Sequence, residues 1–338
     1  MNNQPISPLA VVTGANGFVG SHLVDELLTR GYRVRCILRP NCALRWLEGK
    51  TVETIFCGLS DVAALRQALT DAHYIYHVAG VVKSATYAGF LAGNVAPTQN
   101  LLEAACTAPD LRRVVVVSSL AAAGPNAKGS PRTEADPLAP VSAYGRSKMA
   151  QEALAQQYMS ILPITIVRPP SVYGERDTEV LLFFQTIERG IFPSAGIFAE
   201  QTLSMVHVAD LVRGMVQAAE SEAAIGQTYF LSSDPAEYTW SHIAALIGKN
   251  LNRRYVRLRL PHIAIWGVAS IADFFALFTK KTPTLNRKKV AEIVQPSWAC
   301  SAAKATQDFG YQPTVPLDRG IAFTVGWYQE EGLLKGED

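Results

Sequence analysis

The stretch of sequence that decides the fold is Val11-Val12-Thr13-Gly14-Ala15-Asn16-Gly17-Phe18-Val19-Gly20. An apolar run typical of a strand, 9–12, leads into it, and 21–30 follows with leucines on one helical stripe. Three glycines between a strand and a helix permit a tight turn and let the backbone approach a ligand closely. The helix N-terminus offers free N–H groups to phosphate oxygens. This order predicts a dinucleotide-binding turn, with a purely structural turn as the alternative. The predicted contacts are Gly14, Asn16, Gly17, Phe18, Val19 and Gly20.

Length and composition narrow the class of protein. The chain has 338 residues, 49% of them hydrophobic, which suits two lobes or one large α/β domain. The net charge of +2 gives no reason to expect nucleic acid as a partner. The five cysteines are scattered without the spacing of metal ligands, so no metal site is predicted. The N-terminal residues lack the features of a signal peptide, and we expect a cytoplasmic protein with reduced thiols.

Strand-like and helix-like segments alternate through the first half of the chain. The predicted strands are 9–12, 33–38, 52–56, 74–78, 113–117 and 164–167. The predicted helices are 21–30, 61–69 (capped by Asp61 or Ser60), 94–105 (opened by Asn94), 142–159 and 178–190, with a loop at 124–141. This alternation predicts an α/β protein with a Rossmann-type doubly wound parallel sheet and a smaller C-terminal α/β substrate lobe. We expect 1–174 to bind the dinucleotide, with exchange of elements up to about residue 235, and 175–338 to form mainly the substrate lobe.

The end of the second strand, Leu38-Arg39-Pro40-Asn41, bears on the choice of cofactor. An acidic residue there binds the ribose hydroxyls of NAD, whereas an arginine accommodates the 2′-phosphate of NADP. The acid is missing and Arg39 is present, followed by Arg45, which favours NADP. If Arg39 is only a solvated loop charge, either cofactor could bind. Ligands of such sheets lie beyond the carboxyl ends of the strands, so Leu59, Ala79 and Gly80 are also expected to contact the cofactor.

Tyr144 and Lys148 stand four residues apart in a segment predicted as helix, so their side chains share one face. A lysine ammonium beside a tyrosine favours the phenolate, and we expect Lys148 to lower the pKa of Tyr144. Tyr144 is then a candidate general acid or base. Ser119, just past the fifth strand, is the candidate donor to a substrate oxygen, with Ser118 as its alternative. Taken alone, Tyr144 and Lys148 could equally be two half-exposed residues on one face of a helix, without a catalytic role.

These motifs, in this order, resemble the extended branch of the short-chain dehydrogenase/reductase superfamily, which includes the NAD-dependent epimerases and dehydratases. Arg168-Pro169-Pro170-Ser171-Val172-Tyr173-Gly174 and 204–211 add to the likeness, which covers nearly the whole chain. Residues 117–126 are similar to 3β-hydroxysteroid dehydrogenases, and the Arg39 region resembles dihydroflavonol-reductase-like enzymes. The resemblance implies a homodimer and cofactor contacts at Pro169 and Val172. It also implies a proton donor at Tyr144, its lysine partner at Lys148, an oxygen-binding hydroxyl at Ser119, and an asparagine bonded to backbone at Asn94.

The C-terminal half is less informative. Residues 260–278 are the most apolar stretch, but His262 and Asp273 argue against a membrane span. An ordinary packed helix, a peripheral membrane contact and a lid over an apolar substrate all remain open. His207 is expected to be a structural hydrogen-bonding residue, and Asp210 to cap or pair locally. The basic cluster at 280–289 is expected to be a solvated face, with attraction of an anionic substrate group as the alternative.

Three functions are compatible with these patterns. The first is an NAD(P)-dependent oxidoreductase that interconverts a secondary alcohol and a ketone, on a bulky apolar 3-hydroxy or 3-oxo substrate of steroid-like shape. The second is a nucleotide-sugar 4-epimerase that holds NAD tightly, although the missing acid after the second strand is less typical of it. The third is a non-catalytic dinucleotide sensor, against which the intact Ser119, Tyr144 and Lys148 set argues. Dehydratase chemistry is not favoured, because Leu120 and Ala121 stand where the resemblance requires two acids.

Overall fold

The structure is a computed structural model that describes residues 7–195, 200–261 and 287–335. Its strands are β1 (Leu9–Thr13), β2 (Arg33–Ile37), β3 (Glu53–Ile55), β4 (Tyr74–His77), β5 (Arg113–Val117), β6 (Ile164–Arg168), β7 (Ser171–Tyr173), β8 (Ile191–Ala195), β9 (Thr202–Leu203), β10 (Met205–His207), β11 (Thr228–Phe230), β12 (Tyr238–Thr239), β13 (Val256–Leu260) and β14 (Ser297–Trp298). Its helices are α1 (Phe18–Thr29), α2 (Val62–Leu69), α3 (Tyr87–Ala105), α4 (Leu120–Ala123), α5 (Ala143–Tyr158), α6 (Leu181–Glu188), α7 (Val208–Glu220), α8 (Trp240–Asn250), α9 (Arg287–Ile293), α10 (Ala303–Phe309) and α11 (Leu317–Glu330). Most of the apolar stretch 260–278, and the side chains of the basic cluster at 280–289, lie outside the described residues.

One seven-stranded sheet organises the molecule. Its strand order is β3-β2-β1-β4-β5-β6-β11, and every neighbouring pair is parallel. The strand order reverses direction between β1 and β4, which is the point where open parallel sheets bind their ligands. The central strands β1 and β4 are buried along their full length, as expected when helices cover both faces. The predicted doubly wound sheet is confirmed.

Two helical layers cover the two faces of this sheet. On one face, α1 and α7 pack around Leu23, Leu27 and Met215, joined by α10. On the other face, α2, α3 and α5 pack around Leu65 and Leu101. A separate apolar cluster is formed by side chains of α6, α8 and α11 and of the strands β7, β8, β9, β10 and β12. These strands belong to three small sheets of two or three strands each.

Two helix starts show how local hydrogen bonds set the element boundaries. Asp61, rather than Ser60, caps α2, because its carboxylate accepts the Ala64 N–H at 3.0 Å. The prediction that Asn94 opens a helix is wrong. Thr86 caps α3 by accepting the Gly89 N–H at 3.0 Å, so the helix begins two turns earlier and Asn94 lies inside it.

Candidate active site

The glycine turn has the shape that a dinucleotide requires. Gly14 has a φ of +71°, and a Cβ added there would lie 2.8 Å from the Ala79 nitrogen at the end of β4. A Cβ at Gly20 would collide with the Gly14 carbonyl oxygen, so α1 can approach the turn only because Gly20 has none. Gly17 is the N-cap of α1, is exposed, and supplies no side-chain cap to the first N–H groups. Backbone donors at this helix start are thus open to an anionic group.

The remaining residues of the turn and the neighbouring strand ends face the same edge of the sheet. Phe18 and Val19 are half-buried in the first turn of α1, and the Asn16 side chain donates to the Ala43 carbonyl at 3.2 Å. Arg39 follows β2, is exposed, and makes no ion pair within the described part of the chain. The partly buried residues Leu59 and Ala79 follow β3 and β4, and Gly80 is exposed. The carboxyl ends of four adjacent strands therefore collect these positions, as their order along the chain predicts.

Helix α5 positions Tyr144 and Lys148 against the end of β5. Ser142 caps the helix by accepting the Gly145 N–H at 3.0 Å. Lys148 is only 4% exposed, and its Nζ donates to the Val117 carbonyl at 2.7 Å. A Cβ added to Gly80 would lie 4.0 Å from this Nζ, so the glycine brings the end of β4 close to the ammonium. The structure therefore joins the predicted cofactor edge to the predicted catalytic helix.

Ser119 and Ser118, adjacent in sequence, point to different partners. The Ser119 hydroxyl lies close enough to the Tyr144 hydroxyl to affect its ionisation, and it accepts the Ala121 N–H at 3.1 Å as the N-cap of α4. Ser118 is buried and donates to the Glu152 carboxylate at 2.5 Å. The geometry therefore places Ser119, and not Ser118, beside the tyrosine hydroxyl.

The ionisation of the tyrosine differs from the expectation. Burial raises the pKa of Tyr144 to about 12; the nearby Ser119 hydroxyl acts against this shift, while the charge of Glu292 adds to it. The predicted lowering of this pKa by Lys148 is not found, because the ammonium donates to the Val117 carbonyl instead. Burial also lowers the pKa of Lys148 to about 8, with the Glu152 charge opposing the shift. At neutral pH the pair is a neutral phenol and a charged amine.

Asn94 ties the strand end to the helix that carries the tyrosine. Its side chain accepts the Val81 N–H at 2.7 Å and donates to the Val81 carbonyl at 3.1 Å. It also donates to the Ser147 hydroxyl at 3.0 Å, and Ser147 donates to the Tyr144 carbonyl at 2.7 Å. The backbone bonding that the resemblance implies for Asn94 is thus present.

A buried polar network beneath the site was not anticipated from the sequence. His77 Nδ1 lies 2.9 Å from the Thr13 hydroxyl, and its Nε2 lies 2.8 Å from the Thr98 hydroxyl. Thr98 gives its only hydroxyl proton to the Asn94 carbonyl at 2.7 Å, so it accepts from His77 Nε2–H and from Gln151. Burial, and then the Lys148 charge, lower the pKa of His77 to about 3, which keeps the ring neutral in this tautomer. The network connects the strand before the glycine turn to α3 and α5.

A second unanticipated feature is the buried ion pair between Arg168 and Glu152. Arg168 Nε and Nη2 donate to the two carboxylate oxygens at 2.9 and 2.6 Å, and both side chains are at most 5% exposed. The guanidinium also lies over the Phe230 ring, 5.5 Å from its centre. Because Glu152 follows Lys148 by four residues, helical spacing alone could have identified it as a neighbour. Nothing in the local sequence could have identified Glu292, which acts on Tyr144 from a distant helix.

Three further predicted residues have mainly structural contacts. The Pro169 carbonyl accepts the Leu120 N–H at 2.8 Å, which fixes the end of β6 against α4. Val172 lies in β7 and pairs with Val206 of β10. His207 is buried and caps α7 by accepting the Ala209 N–H at 3.3 Å, as expected for a structural histidine.

Asp210 is tied both locally and at long range. It pairs with Arg213 one turn along α7, and it accepts the backbone N–H groups of Thr314 and Val315, each at 3.0 Å. Its local pairing was expected, whereas its contacts to the segment before α11 were not.

All five cysteines are free thiols. Among residues 7–195, 200–261 and 287–335, no helix is long and apolar enough to cross a bilayer, and no His, Cys, Asp and Glu cluster could hold a metal.

The fold and the residues of this site are consistent with a known protein family, which comparison with family models identifies. The chain belongs to the NAD dependent epimerase/dehydratase family, whose model matches residues 10–231. Membership makes it an NAD(P)-dependent oxidoreductase of the epimerase/dehydratase type, and it confirms the resemblance to extended short-chain dehydrogenases.

Individual relatives extend this result over the full chain. The chain is 29% identical to a ceramide reductase of Caulobacter vibrioides, over 96% of both chains. It is 26% identical to sterol demethylase protein B of Methylococcus capsulatus, over 96% of this chain and 99% of the relative. Among solved structures, that of gox2253 superimposes with a TM-score of 0.82 at 25% identity, covering 97% of this chain and all of the other.

Proposed function

We propose that the chain is an NADP-dependent reductase that interconverts a ketone and a secondary alcohol on a bulky apolar substrate. The observation that carries the proposal is the position of the Ser119 hydroxyl beside Tyr144, with the buried Lys148 one helical turn away. We further propose that residues 175–338 mainly form the substrate-binding part, in a protein that acts as a homodimer in the cytoplasm.

The residues at the sheet edge fit a dinucleotide. The positive φ of Gly14, the missing Cβ of Gly20 and the uncapped start of α1 leave room and donors for a pyrophosphate. Gly14 to Gly20 would hold the pyrophosphate, Leu59, Ala79 and Gly80 the adenosine and central parts, and Lys148, Pro169 and Val172 the nicotinamide end. When bound, the nicotinamide supplies or accepts a hydride.

The protein residues handle the proton and the developing charge. Because burial keeps the pKa of Tyr144 near 12, its hydroxyl holds a proton at neutral pH and can give it to a substrate oxygen that becomes negative. Ser119 donates a hydrogen bond to the same oxygen. Lys148, with a pKa near 8, remains charged and orients hydroxyl groups of the cofactor ribose.

Arg39 supports the preference for NADP. Of the two arginines in this loop, Arg45 is already paired with Glu331 and lies 4.2 Å from the centre of the Trp46 ring. Arg39 is exposed and makes no ion pair in the described part of the chain, so it can accept a 2′-phosphate. We expect tighter binding of NADPH than of NADH by fluorescence titration, and Arg39→Ala should remove the difference while Arg45→Ala retains it. Equal affinities in the wild type would contradict the assignment.

The proposed substrate class rests on the relatives. Two relatives that align over 96% of this chain are named for ceramide and sterol chemistry. The test is to incubate the purified protein with NADPH and long-chain or steroid ketones and follow absorbance of the reduced nicotinamide. Oxidation of NADPH with exchangeable cofactor supports the proposal. Retained NAD with binding of UDP-glucose would identify an epimerase instead.

A further inference from the structure

The parallel ribbon formed by β8 and β13 has two unlike faces. The strands pair with Ile191 opposite Val256 and Pro193 opposite Leu258. Side chains alternate along each strand, so these residues and Leu260 share one face of the ribbon. Five apolar side chains from the two strands therefore lie side by side on that face.

The opposite face is packed onto the protein through Phe192, Ser194 and Arg257, whereas Arg259 on the same face is exposed. Phe192 is 1% exposed, and the Arg257 guanidinium lies 5.3 Å from the centre of its ring. Arg257 also donates to the Ser194 hydroxyl at 3.0 Å. The ribbon is therefore anchored by one face, and its orientation is fixed.

The apolar face is open to solvent. Val256 is 66% exposed, Leu258 45%, Ile191 42% and Leu260 40%, and Pro193 is also exposed. A soluble surface rarely presents a contiguous row of large apolar side chains unless something covers it. Within the sequence, β13 leads directly into the apolar stretch 260–278.

Positive charge is concentrated at one end of this face. Because the strands are parallel, their N-terminal ends lie together, and the Val256 N–H donates to the Gly190 carbonyl at 2.9 Å. Arg189, Arg253 and Arg254 flank this end, are exposed, and form no ion pair within the described residues. The carboxylate nearest in sequence, Glu188, is occupied by the Lys335 N–H at 2.6 Å.

We propose that the exposed face of the β8–β13 ribbon, which we call the ribbon face, docks the protein onto the surface of an anionic lipid bilayer. Apolar side chains flanked by basic residues are the combination that inserts into the boundary between acyl chains and headgroups. The arginine cluster supplies the attraction to negative headgroups, at about fivefold in affinity for each basic residue. The ribbon face is independent of the reaction proposed above, because it contains none of the catalytic residues.

The test uses the full chain with vesicles of phosphatidylcholine containing one part in three of phosphatidylglycerol, and measures co-sedimentation. We expect the wild type to sediment with these vesicles, to bind pure phosphatidylcholine weakly, and to be released by salt. Leu258→Glu should abolish sedimentation. Ile161→Glu, at an equally apolar residue that is 66% exposed elsewhere, is the matched control and should sediment as the wild type does.

A charge variant separates the two contributions. Arg253→Glu combined with Arg254→Glu should weaken binding to anionic vesicles by at least about twenty-fivefold, as two lost contributions of fivefold each, and leave binding to neutral vesicles unchanged. Circular dichroism melting of each variant identifies any loss of folding. The proposal is overturned if the wild type does not sediment, or if Leu258→Glu sediments equally. It is also overturned if Leu258→Glu instead converts a dimer to a monomer in sedimentation equilibrium, because the ribbon face would then be an interface between copies.

Discussion

Replacing Lys148 by methionine should stabilise the fold while removing activity. The ammonium is 4% exposed, and burial lowers its pKa from 10.5 to about 8. Each pKa unit corresponds to about 1.4 kcal/mol, so keeping the charged lysine in place costs about 3 kcal/mol at neutral pH. Losing the hydrogen bond to the Val117 carbonyl offsets about 1 kcal/mol of the gain. We therefore expect Lys148→Met to raise the free energy of unfolding by about 2 kcal/mol at pH 7.

The pH dependence provides the sharper readout. Below pH 8 the lysine is charged in both the folded and the unfolded chain, so the full cost is present. Between pH 8 and 10.5 the unfolded chain binds more protons, so the wild type gains stability as the pH rises. Urea unfolding should thus show Lys148→Met to be more stable than the wild type by about 2 kcal/mol at pH 7. Above pH 10.5 it should be less stable by about 1 kcal/mol, because only the lost hydrogen bond then remains. Lys249→Met, at an exposed lysine of α8, is the control and should change the free energy of unfolding at pH 7 by less than about 0.5 kcal/mol. A Lys148→Met protein that is less stable than the wild type at pH 7 would refute the reasoning.

Three other variants test neighbouring parts of the site. Ser119→Ala should lower turnover by roughly 100- to 1,000-fold, because one donor to the developing oxyanion is lost, and steady-state kinetics measures this. Arg168→Leu should lower the free energy of unfolding in urea by about 3–5 kcal/mol, because the buried Glu152 carboxylate keeps its hydrogen bond to Ser118 but loses its ion pair. The double variant with Glu152→Leu should recover most of this loss of stability. His77→Leu should cost about 2–4 kcal/mol, since two buried hydroxyls lose a partner, and an undiminished melting temperature would contradict the network.

Local sequence patterns predict the large sheet well. The strands β1, β4, β5 and β6 are short, mainly apolar runs that are buried on both faces, whereas β2 and β3 at the sheet edge are partly exposed. This pattern depends only on neighbouring residues. The glycine spacing and the positions of Tyr144 and Lys148 on one helical face are likewise local. The start of α3 was predicted two turns too late, because the polar Asn94 reads as a cap although its side chain bonds to the backbone of Val81.

Features that depend on tertiary contacts could not be predicted from these local sequence patterns. The choice between Ser118 and Ser119 follows from the position of Glu152 on another element. The direction of the Tyr144 pKa shift follows from burial and from Glu292, which are set by packing. The ribbon face depends on the pairing of β8 with β13, which are separated by more than sixty residues.

The central claim is that the Tyr144 hydroxyl carries the proton to the substrate oxygen, and Tyr144→Phe tests it most directly. The variant removes one oxygen atom from a ring that packs against Phe90, with ring centres 6.0 Å apart, so the helix and the cofactor turn should keep their positions. We predict unchanged affinity for NADPH by fluorescence titration, together with a fall in single-turnover ketone reduction of roughly 100- to 10,000-fold. Reduction at the wild-type rate with intact NADPH binding would contradict the claim.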